Sequence, residues 1–229
     1  MARTKSRFVC QECGYVASSW LGRCPECGGW NTLVEGAEVT AKASKSYLPA
    51  NNEKLRPRTI ASVAQTKVER LATGIREFDR VLGGGVVPGS LVLLGGTPGI
   101  GKSTILLDAG LRFGQQGIKV LYVSGEESEE QTAMRAVRLG GAQANDNLLI
   151  LTATDLDAIL AQANALKPQL LIIDSIQTMY NPELQTAAGS VGQVRECTAK
   201  LLQFAKSTGI AVLLIGHVTK DGTIAGPRL

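Results

Sequence analysis

No apolar run in this sequence approaches the roughly 18–20 residues that a membrane-crossing helix requires, which excludes a membrane span. The segment from Met1 to Phe8 is basic but has no apolar stretch behind it, which argues against a secretory leader and for the cytoplasm. Charged residues are sparse at 19%, too few for a disordered chain, while the 44% of hydrophobic residues can build a buried core. Internal repeats are absent, and histidine occurs once, at position 217. The 229 residues leave room for one large domain, or for a small module followed by a domain of about 150 residues.

The net charge of +4 is unevenly placed. Residues 1–70 hold 11 Lys/Arg against 6 Asp/Glu, and residues 71–229 hold 13 against 14. A basic front end suits contact with nucleic acid, and equally suits a solvated linker. Three stretches differ in character. Residues 1–34 contain a Cys- and Gly-rich segment with both tryptophans. Residues 35–58 are polar and aperiodic, with Pro49 and Pro57, and read as a linker. Across residues 59–229 apolar runs alternate with helical patterns, which predicts an α/β fold with a mostly parallel sheet. The expected strands are 90–95, 119–124, 147–151, 169–174 and 210–216, and the expected helices lie near 103–115, 128–139, 155–166 and 190–207. In the last helix Val191, Val194, Cys197, Leu201 and Phe204 form one apolar stripe, with Ser190 as N-cap and Gly209 as terminator. Cys197 on that stripe reads as a packing residue.

Cys10 and Cys13 form one C-x-x-C pair, and Cys24 and Cys27 form a second after a ten-residue spacer. Such pairs wrap four thiolates around one tetrahedral Zn²⁺, whereas two disulfides do not suit a cytosolic chain. All four positions are filled by protein, so the metal is structural and supplies folding free energy that some 28 residues cannot find by burial alone. Gly14 and Gly28 follow the second cysteine of each pair, where the turn calls for positive φ. Trp20 and Trp30 can stack on a base or pack the small core, and the packing role is the expectation here.

Gly96-Thr97-Pro98-Gly99-Ile100-Gly101-Lys102-Ser103 fits G-x-x-x-x-G-K-[ST] at every fixed position, between a buried strand and a helix. Backbone N–H groups of such a loop close on phosphates, with the helix N-terminus behind them. Lys102 is expected on the β- and γ-phosphates of ATP, Ser103 on Mg²⁺, and Thr104 in support of the loop. The run from Leu170 to Asp174 is an apolar strand ending in an acid, a Walker B pattern that places Asp174 near the same metal. Glu126 and Glu127 follow another strand. One of them can deprotonate the attacking water, and an acidic first helical turn is the other reading; the two are compatible. His217 ends the last apolar strand, where it can sense the γ-phosphate or simply be a neutral strand-end residue.

Together these residues resemble the bacterial RadA (Sms) family, RecA-like ATPases of DNA repair. The resemblance runs through Cys10 to Cys27, Arg70 to Ile75, Asp79 to Gly85, Val87 to Ser90, the P-loop, Ser124 to Ser128, Ile173 to Thr178 and Gly216 to Gly222. It implies a RecA-like P-loop core behind a four-cysteine zinc module, with Glu126 and Lys102 catalytic and His217 sensing the γ-phosphate. It also implies two DNA-facing loops, 180–193 and 218–228, with Arg195, Lys220 and Arg228 as contacts. The implied activity is DNA-dependent ATP hydrolysis in recombinational repair, including branch migration. The implied partners are single-stranded or branched DNA, recombination proteins of the RecA type and a homo-hexamer. Thr97 stands where the family usually has Asp. The family pattern continues past Arg228 into a Lys-Asn-Arg-Phe-Gly motif and a Lon-protease-like domain. A truncated ATP- and DNA-binding module without efficient hydrolysis is therefore the alternative expectation.

Overall fold

Two inner strands whose every residue is buried, Val120–Ser124 (β5) and Leu170–Asp174 (β7), set the architecture. A strand buried on both faces needs cover on both, and a parallel sheet with helices on each side provides it. The computed structural model describes residues 7–10, 14–36, 59–64, 68–141, 146–184 and 186–217. Five parallel strands run in the order β4-β8-β7-β5-β6, with β4 at Leu91–Gly96, β6 at Leu148–Thr152 and β8 at Ala211–His217.

Side-chain alternation along these strands divides the interior into two cores. Val120, Tyr122, Leu170, Ile172, Leu213 and Ile215 pack with Leu106, Leu107 and Phe113 of helix α3 (Lys102–Gln115) on one face. Leu121, Val123, Leu171, Ile173, Val212 and Leu214 face the other way. They meet Leu156 and Ile159 of α5 (Leu156–Leu166) and Cys197, Leu201 and Phe204 of α6 (Val191–Thr208). Each fully buried side chain of this kind contributes roughly 1.5–3 kcal/mol. Cys197 is such a packing residue, and burial pushes its thiol up to about 11.

Local signals fix the helix ends. Ser128 and Gln131 close a capping box at the start of α4 (Glu129–Ala136). The Asp155 carboxylate caps α5, Ser190 caps α6, and Gly209 ends α6 in the left-handed conformation. The helix expected to reach 139 is regular to Ala136; Val137 keeps right-handed helical dihedrals, and the chain kinks at Gly140, φ 91°. Two short helices, α1 (Ile60–Ala64) and α2 (Arg76–Val81), were not among the expected elements. The segment around α2 is held by an antiparallel Leu71–Val86 bridge and by the Asp79 carboxylate, which accepts from Thr73 N at 2.7 Å and Gly74 N at 3.1 Å.

The front residues form a three-stranded antiparallel sheet in the order β2-β1-β3, with β1 at Arg7–Cys10, β2 at Val16–Ala17 and β3 at Leu33–Gly36. Its own core comprises Cys10, Ala17, Cys24 and Leu33. Gly14 and Gly28 take the expected positive φ, 75° and 74°.

Candidate functional site

The polar groups collect at the C-terminal edge of the five-stranded sheet, where Gly96 of β4, His217 of β8, Asp174 of β7 and Ser124 of β5 end their strands. Open parallel sheets present their ligand sites on this edge. After Gly96, the exposed residues Thr97, Pro98, Gly99, Ile100 and Gly101 turn the chain into α3. The buried Lys102 folds back over this loop, its Nζ donating to the carbonyls of Gly96 and Thr97, both at 2.9 Å. An ammonium held only by neutral carbonyls can exchange them for anionic phosphate oxygens. Thr104 is exposed on the first turn of α3.

Ser103 Oγ donates to Asp174 Oδ1 at 3.1 Å, joining residues 71 apart in the sequence. Tyr122 Oη donates to Asp174 Oδ2 at 2.5 Å. Tyr122 is fully buried on β5. Burial, with the neighbouring carboxylate, pushes its phenol far above the ordinary value, so it remains a proton donor. The Arg135 guanidinium of α4 pairs with Glu127 and also acts on the Tyr122 hydroxyl. The hydroxyl of Ser103 and the carboxylate of Asp174 are hard oxygen donors close together, the kind that Mg²⁺ takes, so these residues fit that ion.

Glu126 Oε1 accepts from Ser175 Oγ at 2.8 Å and lies 3.4 Å from His217 Nε2. The Glu126 side chain is half exposed, whereas Ser175 is buried. Gln177 Nε2 donates to the His217 carbonyl at 3.3 Å, tying β8 to the turn after β7. Before Glu126, a Cβ on Gly125 would stand 2.0 Å from Thr178 Oγ1 and 2.8 Å from Thr178 Cβ. Only glycine lets the two strand ends approach this closely. The two glutamates diverge: Glu126 faces Ser175 and His217, and Glu127 faces Arg135. Neither lies in the first turn of α4, as one reading of the sequence had it; that turn begins at Glu129 after the Ser128 cap, and its acids are Glu129 and Glu130.

Arg195 is exposed on α6, and Lys220 and Arg228 lie outside the described residues. The segment before α6 is gathered by the buried Gln193. Its Oε1 accepts from Asn181 N at 2.8 Å, and its Nε2 donates to the carbonyls of Asn181 at 3.2 Å and Thr186 at 2.9 Å. In the front module, the sulfurs of Cys10, Cys24 and Cys27 all lie within 4.8 Å of one another, with Cys10 and Cys27 3.6 Å apart. Tetrahedral thiolates at ~2.3 Å from one zinc stand about 3.8 Å apart, so these three fit that metal. Cys13 lies outside the described residues. The tryptophans do not pack the module's core as expected: Trp20 is 54% and Trp30 71% exposed, and Arg23 lies over the Trp30 ring. Cys10, Ala17, Cys24 and Leu33, with Phe8, Tyr15 and Cys27 packed against them, already fill that core.

Tyr122, Ser175 and Arg135 were not singled out from the sequence. Tyr122 carries a signal in retrospect, as the one polar-tipped large side chain within a wholly buried strand.

Fold and site define a RecA-like P-loop α/β core with a cysteine-cluster ribbon in front of it. A model described as an AAA domain matches residues 55–223, and one described as a rubredoxin metal binding domain matches residues 8–35. The chain is 50% identical over 230 residues to the DNA repair protein RadA of Halalkalibacterium halodurans, covering 100% of this chain and 50% of that one. It is 48% identical over 233 residues to the RadA of Bacillus subtilis, with 100% and 50% covered. The figures for the RadA of Listeria monocytogenes are 48% over 228 residues, 100% and 49%. The chain belongs to the AAA-domain family, and over its whole length it is similar to these RadA proteins. It spans about half the length of these curated relatives. Among the described residues no helix is long and apolar enough to cross a membrane.

Proposed function

We propose that this chain binds Mg-ATP at the C-terminal edge of its sheet and hydrolyses it in recombinational DNA repair, with DNA stimulating turnover. The observation that carries this reading is the hydrogen bond from Ser103 to Asp174, which brings the end of the P-loop and the end of β7 to one point. In this reading Lys102 and the amides of residues 96–103 hold the phosphates, and Lys102 stabilises charge that develops on them. Ser103 and Asp174 hold the magnesium, which polarises the terminal phosphate when bound. Glu126 takes the proton of the attacking water, and Ser175 and His217 keep its carboxylate in place beforehand.

His217 reports on the γ-phosphate through β8 to the residues that follow, which contain Lys220 and Arg228. These two, with Arg195, are the phosphate-backbone contacts of the proposal. Single-stranded or branched DNA, recombination proteins of the RecA type and further copies of the chain are its partners. The zinc held by Cys10, Cys13, Cys24 and Cys27 is structural.

Phosphate release by the purified protein, measured with and without single-stranded DNA, tests the proposal. Turnover stimulated by DNA and lowered on the order of a hundredfold or more by Lys102→Ala is the expected result. Equal hydrolysis by the Lys102→Ala protein refutes the assignment.

A further inference from the structure

Asp174 has two carboxylate oxygens, and the structure assigns each a different hydroxyl. Oδ1 takes Ser103 at 3.1 Å, at the P-loop. Oδ2 takes Tyr122 at 2.5 Å, inside the sheet. The carboxylate is 6% exposed and the phenol 0%, so water has little access to either group. An aspartate on a free χ2 torsion would present either oxygen, because that torsion is broad. The phenol removes this freedom.

The phenol is itself constrained. Its ring is clamped in the core shared with α3, and the Arg135 guanidinium lies near enough to act on its hydroxyl. Arg135 is in turn paired with Glu127, one residue beyond Glu126. A chain of contacts therefore runs from α4 through β5 to the metal-holding end of β7.

We propose that Tyr122 is a positioning residue for the metal site: its hydroxyl fixes Oδ2 of Asp174 so that Oδ1 is presented to Ser103 and to magnesium. The inference rests on the nucleotide-binding reading above. Tyr122 is fully buried in the sheet and acts through Asp174. Its contribution is to hold an otherwise rotatable ligand in the one orientation that serves the ion, as partners behind metal ligands do.

Tyr122→Phe removes one oxygen and keeps the ring that packs the core. The full chain and this variant are titrated with a fluorescent, non-hydrolysable ATP analogue, first with chelator and then over a range of magnesium concentrations. The expected result is unchanged affinity for the metal-free analogue and a magnesium requirement raised on the order of tenfold, the scale of one lost hydrogen bond to a charged group. In an Asp174→Ala background, adding Tyr122→Phe is expected to change nothing further, since the residue it positions is gone.

An unchanged magnesium requirement in Tyr122→Phe overturns the inference. So does an equal loss of affinity with and without metal, which is the signature of a generally loosened sheet. If the unaltered chain takes up no analogue under either condition, the nucleotide reading falls and this inference with it. Metal-dependent binding by the unaltered chain separates the two failures.

Discussion

Gly125 lies where β5 hands over to Glu126, and its backbone N–H donates to the Asp174 carbonyl at 2.7 Å. A methyl group there would collide with both Oγ1 and Cβ of Thr178, so neither a rotamer change nor a small shift of one atom relieves it. Gly125→Ala is expected to cost about 1–3 kcal/mol, the scale of overpacking a tight site. It is also expected to slow hydrolysis, because the displaced strand end carries Glu126. Thermal unfolding and phosphate release check the two effects. Gly192→Ala is the control, since there the added carbon meets only Thr186 Oγ1, at 3.8 Å, within a helix that favours alanine. Equal thermal midpoints for Gly125→Ala and the unaltered protein would rule out the steric argument. At this scale some residues were legible and others were not, for one physical reason. Lys102 and Ser103 declare themselves because the loop that uses them is contiguous in sequence. The choice between Glu126 and Glu127 depends on which way each side chain leaves the strand, and that is set by Ser175, Arg135 and His217, up to 91 residues away. Tyr122 was invisible because its partner is 52 residues downstream.

Helix α6 begins by organising the segment in front of it. Ser190 caps the helix, and Gln193, two residues inside, turns its amide back to bind the main chain at Asn181 and Thr186. A buried amide that satisfies one N–H and two carbonyls is costly to remove, because these groups have no ready access to water. Gln193→Ala should cost about 1–3 kcal/mol and loosen the segment before it. Limited proteolysis read by mass spectrometry should show faster cutting between 182 and 190. Gln193→Glu keeps an acceptor for Asn181 N but sets a buried carboxylate oxygen against two carbonyls, so its cutting rate should be at least that of Gln193→Ala. Cutting rates that do not differ would mean that other contacts hold the segment. The elements of the core were largely readable, with every strand of the five-stranded sheet found within one residue of its expected ends, whereas the three short strands of the front sheet were not among the expected elements. Strands buried on both faces must be continuous apolar runs, and such runs are visible without any tertiary knowledge. The five-residue α1 and six-residue α2 were not readable, because so short a segment completes too few turns to display a period. The segment before α2 draws support from afar, as when Arg112 Nη1 donates to the Gly74 carbonyl at 3.2 Å from 38 residues away.

At the scale of the whole molecule, two kinds of core coexist. The five-stranded sheet and its helices bury two dozen large side chains on the two faces and need no metal for cohesion. The front sheet buries Cys10, Ala17, Cys24 and Leu33, and two of these four are metal-ligand types. Burial at roughly 25 cal/mol per Å² cannot order a segment of that size by itself, so its stability is expected to depend on an ion held by its cysteines. The exposed tryptophans sharpen the point, since the largest apolar side chains of the module contribute little to its interior. Chelation of zinc is therefore expected to unfold residues 7–36 and leave 91–217 intact. Hydrogen–deuterium exchange resolves this by region. Peptides from 7–36 should exchange fully within the earliest time point, including the turn amides of Gly14 and Gly28 that now donate to the carbonyls of Cys10 and Cys24 at 2.9 Å. Peptides covering β5 and β7 should keep their protection. The same pattern should appear without chelator in Cys27→Ser, with zinc content lost in parallel. Protection that persists in 7–36 after the metal has gone would show that the front sheet stands on packing alone. Protection lost from both regions together would show that the sheet behind it also depends on the ion.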